Sequence, residues 1–512
     1  MDHRQNLSDD ARQYLLPSFR RRFRQKITLI LAKQCKNHYL SAKNSQMTLI
    51  GREEETKELK RIYESGLPEF VAVYGRRRVG KTFLVKEFFN YDFTFYTSGL
   101  ARGSKSDQLG SFYSSLLQYG LKESCTKPGD WFAAFEALKT VIEQSDKQRK
   151  VIFIDELPWM DTQKSEIVMA LDRFWNTWAS EKPEVMLIIC GSAASWMVKN
   201  IIKNQGGLHN RITAKLRLLP FTLSETEKFL ASRGFAWSRQ MILEAYMALG
   251  GIPYYLGLLD RNQSLPQNLD RLFFRENAKL EDEFDNLFSS LFRKSSEYVR
   301  IVECLARSRR GCTRAKITET LGITDGGGLT RRLDELEQCG FIRRYSAKGD
   351  SADTYQLTDF YTIFYFDYIK NNRNLDSDFW MHQGGTHRHS VWMGLAFERV
   401  CFAHIAQIRK ALGISGIVTR TFAYCPGTSQ SDMVIERGDG AVTVCEMKCT
   451  NTEYLIDKSE AARLQKRKED VGKLYKNKKT VFLALVTKSG LAGNQYSATL
   501  VNNVVTGDDL FS

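Results

Sequence analysis

Gly75-Arg76-Arg77-Arg78-Val79-Gly80-Lys81-Thr82 reads G-x-x-x-x-G-K-[ST]. At that spacing, backbone N–H groups can wrap phosphate oxygens at a helix N-terminus. Lys81 can then reach the outer phosphates of a nucleoside triphosphate, and Thr82 offers a hydroxyl to Mg²⁺. The octapeptide alone can arise by chance. Here an apolar strand, Phe70–Tyr74, precedes it and an amphipathic stretch, Phe83–Phe89, follows, which is the context the motif needs. ATP with Mg²⁺ is therefore the expected ligand.

A second apolar strand, Val151–Ile154, ends in Asp155-Glu156, one carboxylate for the Mg²⁺ shell and one to orient the attacking water. A third, Met186–Cys190, ends at Gly191-Ser192. Ser192 either contacts the γ-phosphate or the water, or caps a helix. Arg211 and Arg217 are candidate arginine fingers, in cis or from a second subunit, with solvated surface arginines as the competing reading. A finger from a second subunit leaves a homo-oligomer open. Because such a loop uses its backbone, the side chains of Arg76, Arg77 and Arg78 either touch phosphate or face structural partners.

A second constellation lies near the C-terminus. Glu446 and Lys448 stand two apart in Val442–Lys448 and share one face of a strand, and Asp432 on the preceding strand can join them. Two carboxylates and a lysine on one surface can hold Mg²⁺, polarise a phosphodiester and activate water. Glu398, on an earlier helix, can complete the acidic cluster. The bland alternative is a salt-bridged surface strand.

The elements that must position these groups follow from hydrophobic periodicity. Strands alternate with helices such as Trp131–Gln144 and Glu166–Trp178, so residues 47–220 predict a parallel α/β core. Over 221–294 the period becomes helical and predicts a lid, broken at Gly250-Gly251. Residues 295–370 predict three helices and a hairpin, a winged helix-turn-helix, with Arg331 and Arg332 on the recognition helix and Arg343, Arg344 and Lys348 on the wing. Those arginines either contact DNA or pair with Asp334, Glu335 and Glu337 in a module that packs on the core. Residues 380–512 predict a last α/β unit, with strands at Gly416–Ala423, Ser431–Glu436, Ala441–Met447 and Thr480–Thr487. Arg463, Lys466, Arg467, Lys468 and Lys473 form either a basic helix beside the Glu446 face or a solvated helix mixed with Glu460, Glu469 and Asp470.

The chain has 512 residues, 43% of them hydrophobic and 26% charged, with a formal charge of +15. That composition excludes a wholly disordered or collagen-like protein and makes a polyanionic partner worth testing. Segment 1–46 carries ten basic and three acidic residues, nearly half of the excess. It reads as a basic tail or an upstream mis-start, or as a nucleic-acid-binding arm. No apolar run approaches the ~18 residues a spanning helix needs, so no membrane partner is expected. Ten cysteines without a C-x-x-C pair fit a reducing cytoplasm.

Together Leu49-Ile50-Gly51-Arg52-Glu53, Tyr74–Thr82, Phe153–Glu156 and Gly250-Gly251-Ile252-Pro253-Tyr254 resemble the archaeal-type ATPases of the AAA+/STAND P-loop group, from residue 48 to the C-terminus. The resemblance implies that Ile50 and Gly51 line the adenine side and that the Gly-Gly-x-Pro segment lies in the lid near the nucleotide. The C-terminal unit resembles the PD-(D/E)xK nuclease superfamily, which implies metal ligation by Asp432 and Glu446 and catalysis by Lys448, on a restriction-endonuclease-like fold. It departs from that pattern where Ser431 replaces the proline and where Gln465 is followed by Glu469 instead of a tyrosine. The expectation is an ATPase whose hydrolysis switches a DNA-binding winged helix and a nuclease-like domain. Its rival is a regulatory switch or scaffold whose C-terminal domain is catalytically inactive and binds DNA or a protein.

Overall fold

A parallel strand covered on both faces needs apolar residues at every position, not alternate ones. Phe70–Tyr74 is such a run. In the computed structural model it lies within β1 (Glu69–Gly75), buried without a break from Glu69 to Val73. The described residues are 49–204, 206–308, 311–345, 353–372, 376–424 and 431–512. Segment 1–46, Lys348, Cys35 and Cys425 lie outside them.

β1 sits between β4 (Val185–Gly191) and β5 (Ala214–Leu218) in a five-stranded sheet, β2-β3-β4-β1-β5, whose other members are β2 (Phe95–Ser98) and β3 (Lys150–Asp155). All four pairings are parallel. Helices Lys105–Gln118, Trp131–Glu143 and Ile167–Thr177 bury Phe112, Trp131, Phe135 and Phe174 against Phe70, Ile152 and Leu187 of the sheet. Burying each such side chain contributes about 1.5–3 kcal/mol. The expected strands are all present. β2 and β5 are additional: β2 has only four residues, and β5 is an edge strand in which exposed Lys215 and Arg217 alternate with buried Ala214, Leu216 and Leu218.

Five helices, from Leu223–Ser232 to Glu283–Leu291, fill the expected lid. Helices Ser295–Ala306, Arg314–Leu321 and Gly327–Gln338 follow, then the antiparallel pair β7 (Ile342–Tyr345) and β8 (Thr354–Leu357). The two-residue β6 (Cys312–Thr313) adds to β8, giving the order β6-β8-β7. The aromatic stretch after the hairpin is an α-helix, Phe360–Phe364, that continues as a π turn, Tyr365–Ile369. Phe364 packs on Phe273 and Phe274 of the lid and on Trp380 and Trp392 beyond, so one aromatic cluster joins three parts of the chain.

The C-terminal sheet runs β13-β12-β11-β10-β9. β9 (Thr419–Tyr424), β10 (Ser431–Arg437) and β11 (Ala441–Lys448) are antiparallel neighbours, while β12 (Thr480–Thr487) and β13 (Asn503–Thr506) continue in parallel. β13 is short, half exposed and was not expected. Helix His387–Ala403 packs on β11. Residues 50–512 form one compact unit. Among the described residues no helix is long and apolar enough to cross a membrane.

Candidate functional site

The first site lies at the carboxyl ends of β1, β3 and β4, the edge where open α/β sheets bind ligands. Gly75 has φ +148°, and a Cβ there would run into the carbonyl oxygen of Leu218. Gly80, at φ +89°, occupies the left-handed position that turns the loop into helix Lys81–Phe88. Arg52 secures the loop from the outside: its guanidinium donates to the carbonyls of Val79 (3.0 Å) and Leu219 (2.7 Å) and lies 4.7 Å from the Phe221 ring centre. Gly51 and Arg52 both have positive φ and lead into helix Glu53–Tyr63, and the Arg52 N–H donates to Glu225 of the lid at 3.2 Å. Gly51 and Arg52 thus lie between the phosphate loop and the helices that follow β5.

The expected catalytic groups converge. Lys81 Nζ donates to the Arg76 carbonyl (2.9 Å) and to Ser192 Oγ (3.0 Å). Thr82 Oγ1 donates to Asp155 Oδ2 at 2.9 Å. Burial first, and the adjacent Glu156 second, raise the Asp155 carboxyl above its ordinary range, while the Thr82 bond opposes the shift. A hydroxyl and a carboxylate side by side are the hard oxygen donors that Mg²⁺ takes together with phosphates. Glu156 sits in the left-handed region at φ +48°, a cost that a non-glycine residue bears when its surroundings fix it there. Its carboxylate accepts from the Ser192 backbone N–H at 3.1 Å and from the Ser192 hydroxyl. Ser192 therefore bridges Lys81 and Glu156.

The loop arginines do not line a phosphate cradle with their side chains. Arg76 is buried and makes an ion contact with fully buried Asp359, which precedes helix Phe360–Phe364, and it lies 5.2 Å from the centre of the Phe341 ring. Burial holds its pKa below the usual guanidinium value. Arg78 pairs with Glu283 of the lid at 2.6 Å and lies 4.0 Å from the Tyr254 ring centre. That contact brings Gly250–Tyr254 to the phosphate loop. Arg77 lies over Trp159 at 5.9 Å. Sequence reading named none of Asp359, Glu283 and Phe341 as partners; only chain folding brings them there.

Of the candidate fingers, Arg211 is exposed in a turn after Leu208. Arg217 points outward from β5 and donates to the Gln338 carbonyl at 3.4 Å.

The helix-hairpin module faces the core. Helix Gly327–Gln338 packs on Ala194–Met197, just past the end of β4. Arg331 is 63% exposed and 3.9 Å from Glu335, whereas Arg332 is paired with Glu297. Arg343 is not displayed for a phosphate: it lies 3.7 Å from the Phe402 ring centre and donates twice to Gln356, and burial pushes its pKa down to about 10. Arg344 lies between Glu337 (3.8 Å) and Asp353 (3.9 Å).

In the C-terminal unit Glu446 and Lys448 share a face as expected, ion-paired at 2.8 Å. Lys448 also reaches Glu460 at 3.1 Å, and Arg467 closes on the other Glu446 oxygen. Glu446 is left 2% exposed. Asp432 accepts from the Met447 N–H at 2.9 Å, and burial, then Glu446 and Glu398, push its carboxyl up to about 8. Among the described residues no group of three or more His, Cys, Asp or Glu side chains is arranged to hold a metal ion. Glu398, Asp432 and Glu446 are thus electrostatic neighbours without forming a ready ligand set.

Comparison with known proteins finds likeness over the segment that holds the first site. Residues 49–259 match the family model of an ATPase domain found predominantly in Archaea. An uncharacterized protein of Methanocaldococcus jannaschii is 27% identical over 371 residues, 70% of this chain and 78% of that protein. Among solved structures, a Walker-type ATPase of Pyrococcus abyssi is 18% identical, with TM-score 0.46, over 62% of this chain and 95% of that one. The ORC2 protein of Aeropyrum pernix, in its ADPNP–ADP complexes, is 13% identical, with TM-score 0.39, over 63% and 94%. The family match coincides with the segment in which Lys81, Thr82, Asp155, Glu156 and Ser192 meet, and residues 49–259 are an ATP-binding P-loop ATPase domain of the archaeal type.

Proposed function

We propose that this ATPase is a conformational switch that couples nucleotide state to a DNA-binding winged helix, residues 295–370, and to a nuclease-like domain, residues 380–512. The observation that carries the reading is the pair of ties from the phosphate loop, Arg76 to Asp359 and Arg78 to Glu283. A loop that closes around phosphates through its backbone cannot move without working on both partners, so bound nucleotide biases the lid and the hairpin module together. Helix Gly327–Gln338 is the candidate recognition helix. It lies on Ala194–Met197 here, and a major groove reaches it once the module swings away.

In hydrolysis, Lys81 and the loop N–H groups hold phosphate, Glu156 orients water and Ser192 positions Glu156. Ile50 and Gly51 sit on the adenine side, and Arg211 or Arg217 completes the site, in cis or from a second copy. Thr82 and Asp155 would hold Mg²⁺, which would supply charge neutralisation on the phosphates. The reducing cytoplasm remains the compartment that fits eight described cysteines, all unpaired.

A second reading, a C-terminal domain that is catalytically silent, is favoured by Arg467 and Lys448 occupying Glu446. One experiment separates them. Labelled duplex and single-stranded DNA are incubated with Mg²⁺ or Mn²⁺, with and without ATP, using the protein and its Glu446→Ala variant. Cleavage lost in the variant establishes the nuclease, and retention without cleavage establishes the silent domain. Duplex affinity that is the same with ATP and ADP overturns the switch.

A further inference from the structure

A cleft of about 1140 Å³ runs between the tips of β2, β3 and β4 on one side and, on the other, the end of helix Glu283–Leu291 with the helix-hairpin module. It opens beyond Arg77, and its walls include none of Lys81, Thr82, Asp155 and Glu156. Seven basic and three acidic side chains line it. All three acids are engaged: Asp161 accepts from Trp196 Nε1 at 2.8 Å, Glu297 pairs with Arg332, and Glu335 accepts from the Tyr298 hydroxyl. Several of the bases are not. Arg102 and Lys199 are exposed with no acidic partner among the described residues. Among the described residues Arg293 reaches a backbone carbonyl, that of Asp161, at 3.5 Å, and no acidic side chain. Two half-buried indoles, Trp159 and Trp196, stand on the core side of the same cleft.

We infer that this cleft binds single-stranded nucleic acid, with phosphates at Arg102, Lys199 and Arg293 and bases against Trp159 and Trp196. Unpartnered cations call for a polyanion, and flat aromatic faces beside them suit unstacked bases, the pairing by which single strands are held without sequence preference. A duplex has no unstacked base to offer and must fit between walls from both the core and the module. An arginine from a neighbouring subunit would enter against the positive excess. The inference stands on the cleft and does not need the switch reading.

The full-length protein is titrated, by fluorescence anisotropy and tryptophan emission, with a short labelled oligothymidylate, an abasic strand of equal length, a duplex and inorganic polyphosphate. The oligothymidylate is expected to bind tightest and to quench emission, less so in Trp196→Phe. Arg102→Glu with Lys199→Glu is expected to lower its affinity on the order of tenfold and to flatten the logarithmic salt dependence by ~1.4, two phosphates at ~0.7 each. Basal ATP hydrolysis should be unchanged in that variant, which reports an intact fold. If it is not, Arg102→Gln and Lys199→Gln are read singly. Wild-type affinity in the charge variants, or equal affinity for the abasic strand or polyphosphate, overturns the proposal. So does preference for duplex, which would leave the winged-helix reading standing.

Discussion

Replacing Asp359 strands a guanidinium in the interior. The Arg76 side chain is 6% exposed and that of Asp359 0%, so neither charge is screened by solvent. Removing one partner of a buried pair costs about 3–5 kcal/mol, chiefly because the other charge is left uncompensated. Asp359 Oδ1 also accepts from the Thr362 N–H at 2.8 Å and caps helix Phe360–Phe364, and losing a cap adds about 1 kcal/mol. Asp359→Ala should therefore lose about 4–6 kcal/mol. Asp359→Asn, which keeps an oxygen at the cap, should lose about 3–5 kcal/mol. Arg76→Met strands the carboxylate instead and costs a similar amount, but Arg76→Met with Asp359→Asn leaves no buried charge. The double variant should then fall short of the summed losses by at least about 2 kcal/mol, a coupling that distant sites do not show. Urea unfolding followed by tryptophan emission gives all four values. Loss of under about 1 kcal/mol in Asp359→Ala, or an additive cycle, refutes the reasoning.

Other consequences follow from the same geometry. Glu156→Gln keeps the shape of the side chain but cannot take a proton, so kcat should fall by roughly 10²–10⁴ with ATP affinity almost unchanged, which equilibrium binding and a phosphate-release assay separate. Lys81→Ala removes the cation that reaches phosphate and should abolish measurable nucleotide binding by calorimetry. His404 holds the lid: its Nε2 accepts from the Leu223 N–H at 2.9 Å, its Nδ1 faces the Val400 carbonyl at 2.9 Å, and burial lowers its pKa below the ordinary 6.5. The unfolded chain then binds the proton more readily than the fold. Stability should fall as pH drops below 6.5, by at most about 1.4 kcal/mol per pH unit from this group. His404→Gln, whose amide oxygen can accept the same bond without titrating, should remove that slope in urea unfolding at pH 7 and pH 5.5.

The legible parts of the molecule were those written in short stretches of chain. Phe70–Thr82 is a buried strand, a glycine-framed turn and a helix start in sequence order, so the loop and its Lys81 could be placed without a structure. β3 and β4 carried Asp155, Glu156 and Ser192 on their ends for the same reason: continuous apolar runs announce parallel strands. β5 was not legible because it is an edge, and alternating Lys215 and Arg217 look like any polar segment. The partners of Arg76 and Arg78 lie some two to three hundred residues away, and nothing periodic links Arg76 to Asp359. Sequence could give the charges of the helix-hairpin module but not which way it faces, so Arg343 stayed open between a DNA contact and an acidic partner, and it lies over Phe402 instead. Glu446, Lys448 and Asp432 were paired correctly by strand register, whereas Arg467, a helix away, was not seen to close on Glu446.

The most direct test of nucleotide-driven coupling is amide hydrogen exchange over Gly327–Gln338 and Phe360–Phe364 in the nucleotide-free, ADP and non-hydrolysable ATP-analogue states. Both segments should lose protection with the ATP analogue and regain it with ADP, and Lys81→Ala should show no such change. Identical protection of both segments in all three states would contradict it.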